Sequence, residues 1–240
     1  IIQETNEAVA SIAGTGFLRT PLYRSSELSD ALGFTAEGGV WIKDETHNVA
    51  GSHKARHLFT ELLHLLFAEA AGIAPWTVST RPPLAIASCG NAAIAASTLA
   101  AAVRWPIYVH VPPAATAEVL TALTELDADV RVCARLPEDE AGDPCVLRFR
   151  EAVANGAIAF GVQGTENAWC LDGGRTIGWE MTEEMGHLMD RIFIQVGGGA
   201  FAACVGASLR SAGVHPKLHA VQTEGCAPLA RAWENALATG

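Results

Sequence analysis

The segment that decides the fold reads WIKDETHNVAGSHKAR, from Trp41 to Arg56. An apolar run ends at Lys43, a polar loop follows, and a helical pattern begins near Ser52, a plausible N-cap. A lysine in the first helical turn lies near the positive end of the helix dipole, which lowers the pKa of its amine. Lys54 is therefore a candidate nucleophile. The alternative is a surface lysine whose amine stays in water.

Outward from this segment, short apolar runs alternate with helical stretches. Strands are predicted at 40–43, 84–87, 107–111, 129–133, 158–160, 191–196 and 217–222. Helices are predicted at 54–71, 91–103, 115–126, 145–155, 173–185, 200–211 and 228–238. This alternation implies βαβ units. We therefore predict an α/β protein with two open, twisted, mostly parallel sheets flanked by helices.

Breaks at Pro112, Gly142 and Gly161 accompany this pattern and indicate two domains. We predict a larger domain formed by residues 1–57 and 163–240. Residues 58–162 would form a smaller domain inserted within it.

A second strand-to-helix turn reads IASCGNAA, from Ile86 to Ala93. Backbone N–H groups at such a turn form an anion site that can hold a carboxylate. Asn91 is a candidate site residue, although a helix cap is the alternative. Cys89 could suggest a nucleophile, but no neighbouring histidine or aspartate is predicted to activate it.

A third turn of this kind reads IQVGGGAFA, from Ile194 to Ala202. Its three glycines let the backbone approach a phosphate closely at a helix N-terminus. A dinucleotide fingerprint requires glycine where Ala202 stands, and the Gly-Lys-Ser/Thr of a P-loop is absent from the sequence. The pattern favours a phosphate site that serves neither NAD nor ATP.

Composition narrows the class of protein. The 240 residues are half hydrophobic, which suffices for a substantial core, and a net charge of −10 argues against nucleic-acid or anionic-membrane partners. We see no apolar run near the ~20 residues of a membrane span and no signal peptide. The first residue is Ile1, so we expect translation to start upstream. Six cysteines without C-x-x-C spacing predict reduced thiols in a cytoplasmic protein.

Histidines at 53, 57 and 64 lie with Glu61 in one predicted helix. The H-x-x-x-H spacing of His53 and His57 lacks the intervening glutamate of metalloproteases. A packing or solvated role is favoured, and no metal site is predicted.

Taken in order, the three turns resemble the fold-type II pyridoxal-phosphate enzymes, the tryptophan synthase β-like superfamily. This group includes threonine synthase, serine/threonine dehydratase, cysteine synthase and the tryptophan synthase β chain. Further segments similar to family motifs are RTPL at 19–22, WIKDET at 41–46 and DGGRTIGWE at 172–180. The segment AVQTEGCAPL at 220–229 resembles threonine synthase in particular. The matches run from about residue 19 to 229.

The resemblance implies a role for each matching residue. Lys54 would carry pyridoxal 5'-phosphate as a Schiff base and act as the base at the substrate Cα. Asn91 would hydrogen-bond the 3'-oxygen of the cofactor. The substrate carboxylate would be held by Ser88, Cys89, Gly90 and Ala92. The cofactor phosphate would be held by Gly197, Gly198, Gly199 and Ala200.

The sequence departs from the family pattern at three places. His53 replaces a common phenylalanine, and Ala200 stands where dehydratases usually have glycine. The family also normally continues well beyond the position of Gly240. We therefore expect the larger, cofactor-binding domain to be incomplete at its C-terminus, where the residue facing the pyridine nitrogen would lie.

The implied activity is that of a lyase acting on a hydroxy-amino acid or its phosphate ester. Threonine synthase-like and dehydratase-like β-elimination or replacement both remain open. The resemblance also implies a small-molecule amino-acid substrate and a homodimer. A non-catalytic relative with a binding or regulatory role, and a nucleotide-dependent oxidoreductase, are the alternatives. Lys54 argues against the oxidoreductase, because a dinucleotide enzyme needs no lysine there.

Overall fold

The computed structural model describes residues 1–35 and 38–239. The chain divides into two compact units, Ile1–Gly173 and Gly174–Gly240. The smaller domain inserted at 58–162 stays a prediction.

The first unit alternates helices and strands. Its helices are α1 (Ile2–Ala13), α2 (Ser26–Ala31), α3 (Lys54–Ala70), α4 (Asn91–Ala102), α5 (Ala117–Glu125) and α6 (Pro144–Ala154). Its strands are β1 (Leu22–Ser25), β2 (Val40–Lys43), β3 (Leu84–Ala87), β4 (Ile107–Val111), β5 (Asp129–Val132) and β6 (Ile158–Ala159). Short 3-10 helices occupy Glu45–His47, Val49–Gly51 and Val78–Thr80. Helix α7 (Cys170–Met185) starts in this unit and continues into the second.

A four-stranded parallel sheet in the order β5-β4-β3-β6 organises the first unit. Successive side chains of a strand point to opposite faces. Leu84 and Ile86 of β3 accordingly join the main core with residues of α3 and α4. Ala85 packs on the other face with Phe149 of α6. Helices cover both faces, so β3 reads as an unbroken apolar run in the sequence.

Helix α4 packs closely because its core-facing side chains are small. Ala92, Ala93, Ala95, Ala96 and Ala100 are all buried there. Methyl groups at these positions bring the α4 backbone close to α3 and to the sheet. Helices α3 and α4, whose first turns carry Lys54 and Asn91, thus pack against each other in the main core.

The second unit contains β7 (Arg191–Gln195), α8 (Ala200–Ser211), β8 (Lys217–Val221) and α9 (Pro228–Thr239). Strands β7 and β8 pair in parallel, so β7, α8 and β8 form a βαβ unit. Gly178 of α7 packs against α8: a Cβ there would lie 2.0 Å from the Ser208 hydroxyl. Ile177 and Ile194 join the same core from α7 and β7.

The structure confirms the α/β class, with parallel sheets flanked by helices. Each predicted strand and helix has a counterpart; most ends coincide, and all the others except the start of α7 differ by one or two residues. The predicted start of α7 at residue 173 is late, because the helix begins at Cys170. Helices α1 and α2 and the antiparallel pairing of β1 with β2 were not predicted. Within the described ranges, no helix is long and apolar enough to cross a membrane.

Candidate active site

Lys54 lies at the start of α3, directly after a tight turn. Ala50 and Gly51 adopt left-handed backbone angles, with φ of 54° and 68°, and turn the chain toward the helix. The N-cap is His53 rather than the predicted Ser52. The Ser52 hydroxyl instead accepts a 3.4 Å hydrogen bond from the Lys54 N–H. The first helical turn is thereby tied to the loop that precedes it.

The Lys54 amine is half-buried, and this determines its chemistry. Desolvation by the surrounding protein lowers the pKa of Lys54, and Cys170 raises it to a smaller extent. Burial penalises the charged form of an amine, so more of it is neutral near neutral pH. The direction of the shift agrees with the sequence-based expectation.

A buried polar network fixes the loop before Lys54 to the helix after it. Arg56 Nε lies 2.8 Å from Glu45 Oε2, and Arg56 Nη2 lies 3.0 Å from Glu45 Oε1. Thr20 and Asn48 also donate hydrogen bonds to the Glu45 carboxylate. Sequence reasoning assigned no role to this network. The sequence feature that could have indicated the network is the pair of opposite charges, Glu45 and Arg56, on either side of the candidate lysine.

Lys54 opens into a cavity of about 210 Å³ in the first unit. Its walls come from the first turn of α3, the β3–α4 turn, helix α6 and the loop after β6. The lining residues are Lys54, Ile86, Ala87, Ser88, Ala92, Val146, Phe149, Gly161, Val162, Gln163 and Glu166. Three residues singled out from the sequence, Lys54, Ser88 and Ala92, therefore share one cavity.

The other predicted residues of the β3–α4 turn, Cys89, Gly90 and Asn91, stand between Ser88 and Ala92 in the sequence but do not line the cavity. Gly90 is the N-cap of α4, so Asn91 does not cap the helix; it is the first helical residue, and it is exposed. The Gly90 N–H donates to the Ser88 hydroxyl at 3.4 Å. Cys89 is exposed. Backbone N–H groups gather at this helix start, as an anion site requires.

The glycine turn predicted to hold a phosphate lies in the second unit. Gly199 is the N-cap of α8 with φ of 95°, a conformation that favours glycine. Ideal Cβ atoms at Gly197, Gly198 and Gly199 would meet nothing within 4 Å, so this turn presents an open backbone surface. The Gln222 amide donates to the Val196 carbonyl at 3.1 Å and supports the turn from β8. Sequence reasoning gave Gln222 no such role.

His53, the N-cap of α3, and His57 in its first turn pack against each other. His57 Nδ1 donates to the Cys170 carbonyl at 2.7 Å, and burial lowers the pKa of His57 to about 4. The rings of His53 and His57 meet edge to face, with centroids 5.9 Å apart. In the part of the chain that the structure describes, no group of three or more His, Cys, Asp or Glu side chains could hold a metal ion.

A larger groove, of about 780 Å³, lies on the α6 side of β4 and β5 and contains none of the predicted site residues. Its arginines are already paired: Arg131 with Asp129 at 2.9 Å, and Arg148 with Asp139 and Glu151. Size alone therefore does not make this groove a site. The smaller cavity is the one that Lys54 lines.

Comparison with known proteins decides what this arrangement belongs to. A family model described as pyridoxal-phosphate dependent enzyme matches residues 14–240. The chain belongs to this pyridoxal-phosphate-dependent family. A sequence comparison with curated proteins gave no match.

Solved structures similar to this pyridoxal-phosphate-family chain are under 25% identical to it and show the fold. Maize serine racemase matches with a TM-score of 0.75 and 18% identity over 98% of this chain and 65% of its own. A pyridoxal 5'-phosphate-dependent aspartate racemase matches with a TM-score of 0.73 and 20% identity, over 93% of this chain and 63% of its own. Threonine deaminase isoform 2 from Solanum lycopersicum matches with a TM-score of 0.74 and 19% identity, over 98% of this chain and 59% of its own. The chain thus spans less than two thirds of their length.

Each unit, taken by itself, offers a feature that fits one group of the family's cofactor. Lys54 offers an amine with a lowered pKa, the group that an aldehyde requires. The open glycine turn at the N-terminus of α8 offers N–H groups to a phosphate, with no side chain in the way. Pyridoxal phosphate, when bound, supplies an electron sink for a carbanion at the substrate Cα.

Proposed function

We propose that this chain carries out pyridoxal-phosphate-dependent β-elimination or β-replacement on a hydroxy-amino acid or its phosphate ester, with Lys54 holding the cofactor. One observation carries the proposal. The Lys54 amine, with its pKa lowered by burial, lines the same cavity as Ser88 and Ala92 of the β3–α4 turn.

In this proposal Lys54 is the proton carrier at the substrate Cα. A general base works best when its pKa lies near the operating pH, and burial moves the Lys54 amine in that direction. Ser52 bonds the Lys54 backbone N–H, and the Glu45–Arg56 pair ties the preceding loop to α3, so the backbone that carries the lysine is held in place. The lysine therefore needs little reorganisation before it accepts a proton.

The β3–α4 turn is proposed to hold the substrate carboxylate. Ser88, Cys89, Gly90 and Ala92 would do so largely through backbone N–H groups at the start of α4. Asn91 would bond the 3'-oxygen of the cofactor, and its exposed position at the first turn of α4 leaves its amide available. In the second unit, residues 197–200 would hold the cofactor phosphate.

The cavity favours a small substrate with a polar side chain. Its walls combine apolar Val146 and Phe149 with polar Gln163 and Glu166. The Glu166 carboxylate is paired with Arg150 of α6 at 2.8 Å, so it adds polarity without an unbalanced charge. A hydroxyl or phosphate-ester group suits such walls better than a long apolar chain does.

Similar structures support a pyridoxal-phosphate enzyme that acts on amino acids, without choosing between elimination and racemisation. They include a deaminase named for threonine and racemases named for serine and aspartate. Segment 220–229 favours a threonine synthase-like activity, and the turn at 196–200 favours a dehydratase-like one. A cytoplasmic homodimer is part of the proposal, and the lack of C-x-x-C spacing among the six cysteines supports a reducing compartment.

The test is a product assay. Purified protein is incubated with pyridoxal phosphate and L-serine, L-threonine or O-phosphohomoserine. We expect a 2-oxo acid with ammonia from the hydroxy-amino acids, or threonine with inorganic phosphate from the phosphate ester. Formation of D-amino acid without loss of the β substituent would contradict the lyase proposal in favour of racemisation. A protein that binds the cofactor but turns over no amino acid would support a non-catalytic role.

A further inference from the structure

Glu61 is an ionisable side chain placed entirely inside the core. It lies on α3, and its exposed fraction is 0%. Leu58 and Leu62, its neighbours on the same helix, are fully buried apolar residues. A carboxyl group in such a place is unfavourable unless it stays neutral and makes hydrogen bonds. A leucine of similar size would pack there with no such cost.

Its side chain reaches a segment 100 residues further along the chain. Glu61 Oε2 accepts a hydrogen bond from the Gly161 N–H at 3.0 Å. Within the described residues, Glu61 Oε1 has no hydrogen-bond partner. The bond to Gly161 is thus the contact that accounts for a carboxyl at this position.

Gly161 begins a chain segment that lines the same cavity as Lys54. The last ladder bond of this region runs from the Phe160 N–H to the Ala85 carbonyl at 2.9 Å. Gly161 is the next residue, and its N–H turns to Glu61 where the sheet ends. Residues 161–163 and Glu166 then line the cavity together with Lys54.

Lys54 and Glu61 stand on one rigid helix. They are seven residues apart on α3, which is two turns, or roughly 10 Å along the axis, and places both on one face. One end of this face carries Lys54, and the other end holds Gly161, the start of a second segment of the cavity lining. Helix α3 therefore sets the separation between them.

We propose that Glu61 is a positioning residue, whose carboxyl holds the Gly161 N–H and thereby fixes the 161–166 wall of the cavity around Lys54. The kinetic part of this inference rests on the proposed function, whereas the anchoring part does not. Burial raises the pKa of Glu61 to about 9, while the Gly161 N–H lowers it to a smaller extent. The carboxyl is therefore neutral at pH 7, and the core contains no buried charge at this point.

Matched variants separate anchoring from general packing. Glu61→Met keeps the volume and removes the acceptor, whereas Glu61→Gln keeps an acceptor oxygen. Gly161→Pro removes the N–H from the other side. Gly161→Ala keeps the N–H, and its Cβ would meet nothing within 4 Å. Glu69→Gln is the control on the same helix for a general loss of stability, since it breaks the largely buried pair with Arg81 away from the cavity.

Backbone hydrogen exchange of residues 162–166, measured by mass spectrometry, reads the anchoring directly. Glu61→Met and Gly161→Pro should each raise exchange about tenfold there, as the loss of one hydrogen bond would. Glu61→Gln, Gly161→Ala and Glu69→Gln should match the wild type. Residues 84–87 of β3 should stay protected in all five variants. If Glu61→Met does not fold, the Gly161 pair gives the answer.

Kinetics then test positioning. Glu61→Met should raise KM about tenfold with kcat nearly unchanged, because the wall moves while Lys54 does not, and Glu61→Gln should restore KM. Exchange that is unchanged, or that rises equally in 84–87 and 162–166, would overturn the anchoring. Raised exchange with an unchanged KM in an active enzyme would overturn the positioning role. If no turnover is found with any amino acid, the proposed function fails, and the exchange result alone decides the anchoring.

Discussion

Arg56 Nε lies 2.8 Å from Glu45 Oε2, and this ion pair brackets Lys54 in the sequence and is almost wholly buried. Removal of one partner leaves the other charge uncompensated in the core, which typically costs about 3–5 kcal/mol. We expect Glu45→Gln to lower the free energy of unfolding by about that amount, as measured by urea denaturation. Asp129→Asn, which breaks the exposed pair with Arg131, should cost at most about 1 kcal/mol. Equal effects of the two substitutions would show that the Glu45–Arg56 pair does not stabilise the fold.

Lys54→Ala should abolish turnover and the visible absorbance of lysine-bound cofactor while the protein stays folded. Alanine has the higher helix propensity, so α3 should not be weakened by the change. Activity assays with circular dichroism of the same samples provide the measurement. Lys43→Ala is a matched lysine control for cofactor absorbance, since the Lys43 amine bonds the Thr20 carbonyl. Full activity in the Lys54 variant would contradict the proposal that Lys54 carries the cofactor and acts as the base.

Gly198→Asp should abolish cofactor retention. A carboxylate at this turn would repel the cofactor phosphate and obstruct its approach to the backbone N–H groups. Gly198→Ala is the control for an uncharged side chain at this position, because its Cβ would meet no protein atom within 4 Å and should not disturb the fold. The alanine variant should fold like the wild type and retain more cofactor than the aspartate variant. Equal cofactor content in the aspartate variant and the wild type, by absorbance after gel filtration, would count against this phosphate site.

Glu61 should make stability depend on pH. Its pKa is raised by burial from 4.5 to about 9 in the folded chain. Between these values the unfolded chain releases the proton and the folded chain keeps it. The free energy of unfolding therefore falls as pH rises, by at most about 1.4 kcal/mol per pH unit from this group.

The measurement compares wild type with Glu61→Gln by urea unfolding at pH 6, 7 and 8. Glutamine does not titrate, so the stability of the variant relative to wild type should grow with pH. Other titrating groups, such as His53 and His57, contribute to both proteins and cancel in the difference. Parallel stability curves would mean that Glu61 ionises normally in the folded chain.

Much of the fold could be predicted because its strands and helices show as local patterns of apolar residues in the sequence. Parallel strands buried on both faces read as apolar runs, and β3 and β4 were placed within a residue of their ends. Helices α1 and α2 were missed although local signals mark them: Gly14 ends α1 in a left-handed conformation, and the Ser25 side chain caps α2. The pairing of β1 with β2 is antiparallel, and the β–α alternation that indicated parallel strands gave no signal for it.

The site was predictable in part for the same reason. Lys54, Ser88 and Ala92 belong to strand-to-helix turns that short motifs mark, and one cavity includes all three. Glu61 and Gly161 meet across 100 residues, and no local pattern reports such a contact. Glu61 was grouped with nearby histidines, whereas the structure places it against a distant loop. Contacts of this kind depend on tertiary packing, which a single sequence does not display.

The central claim is that Lys54 is the residue to which the cofactor is attached. Borohydride reduction of the protein with bound pyridoxal phosphate, followed by peptide mass spectrometry, tests it most directly. The chain has only three lysines, Lys43, Lys54 and Lys217, so the map is unambiguous. We predict that the phosphopyridoxyl group is found on the peptide containing Lys54. A label on Lys43 or Lys217, or none in a protein that retains the cofactor, would contradict the claim.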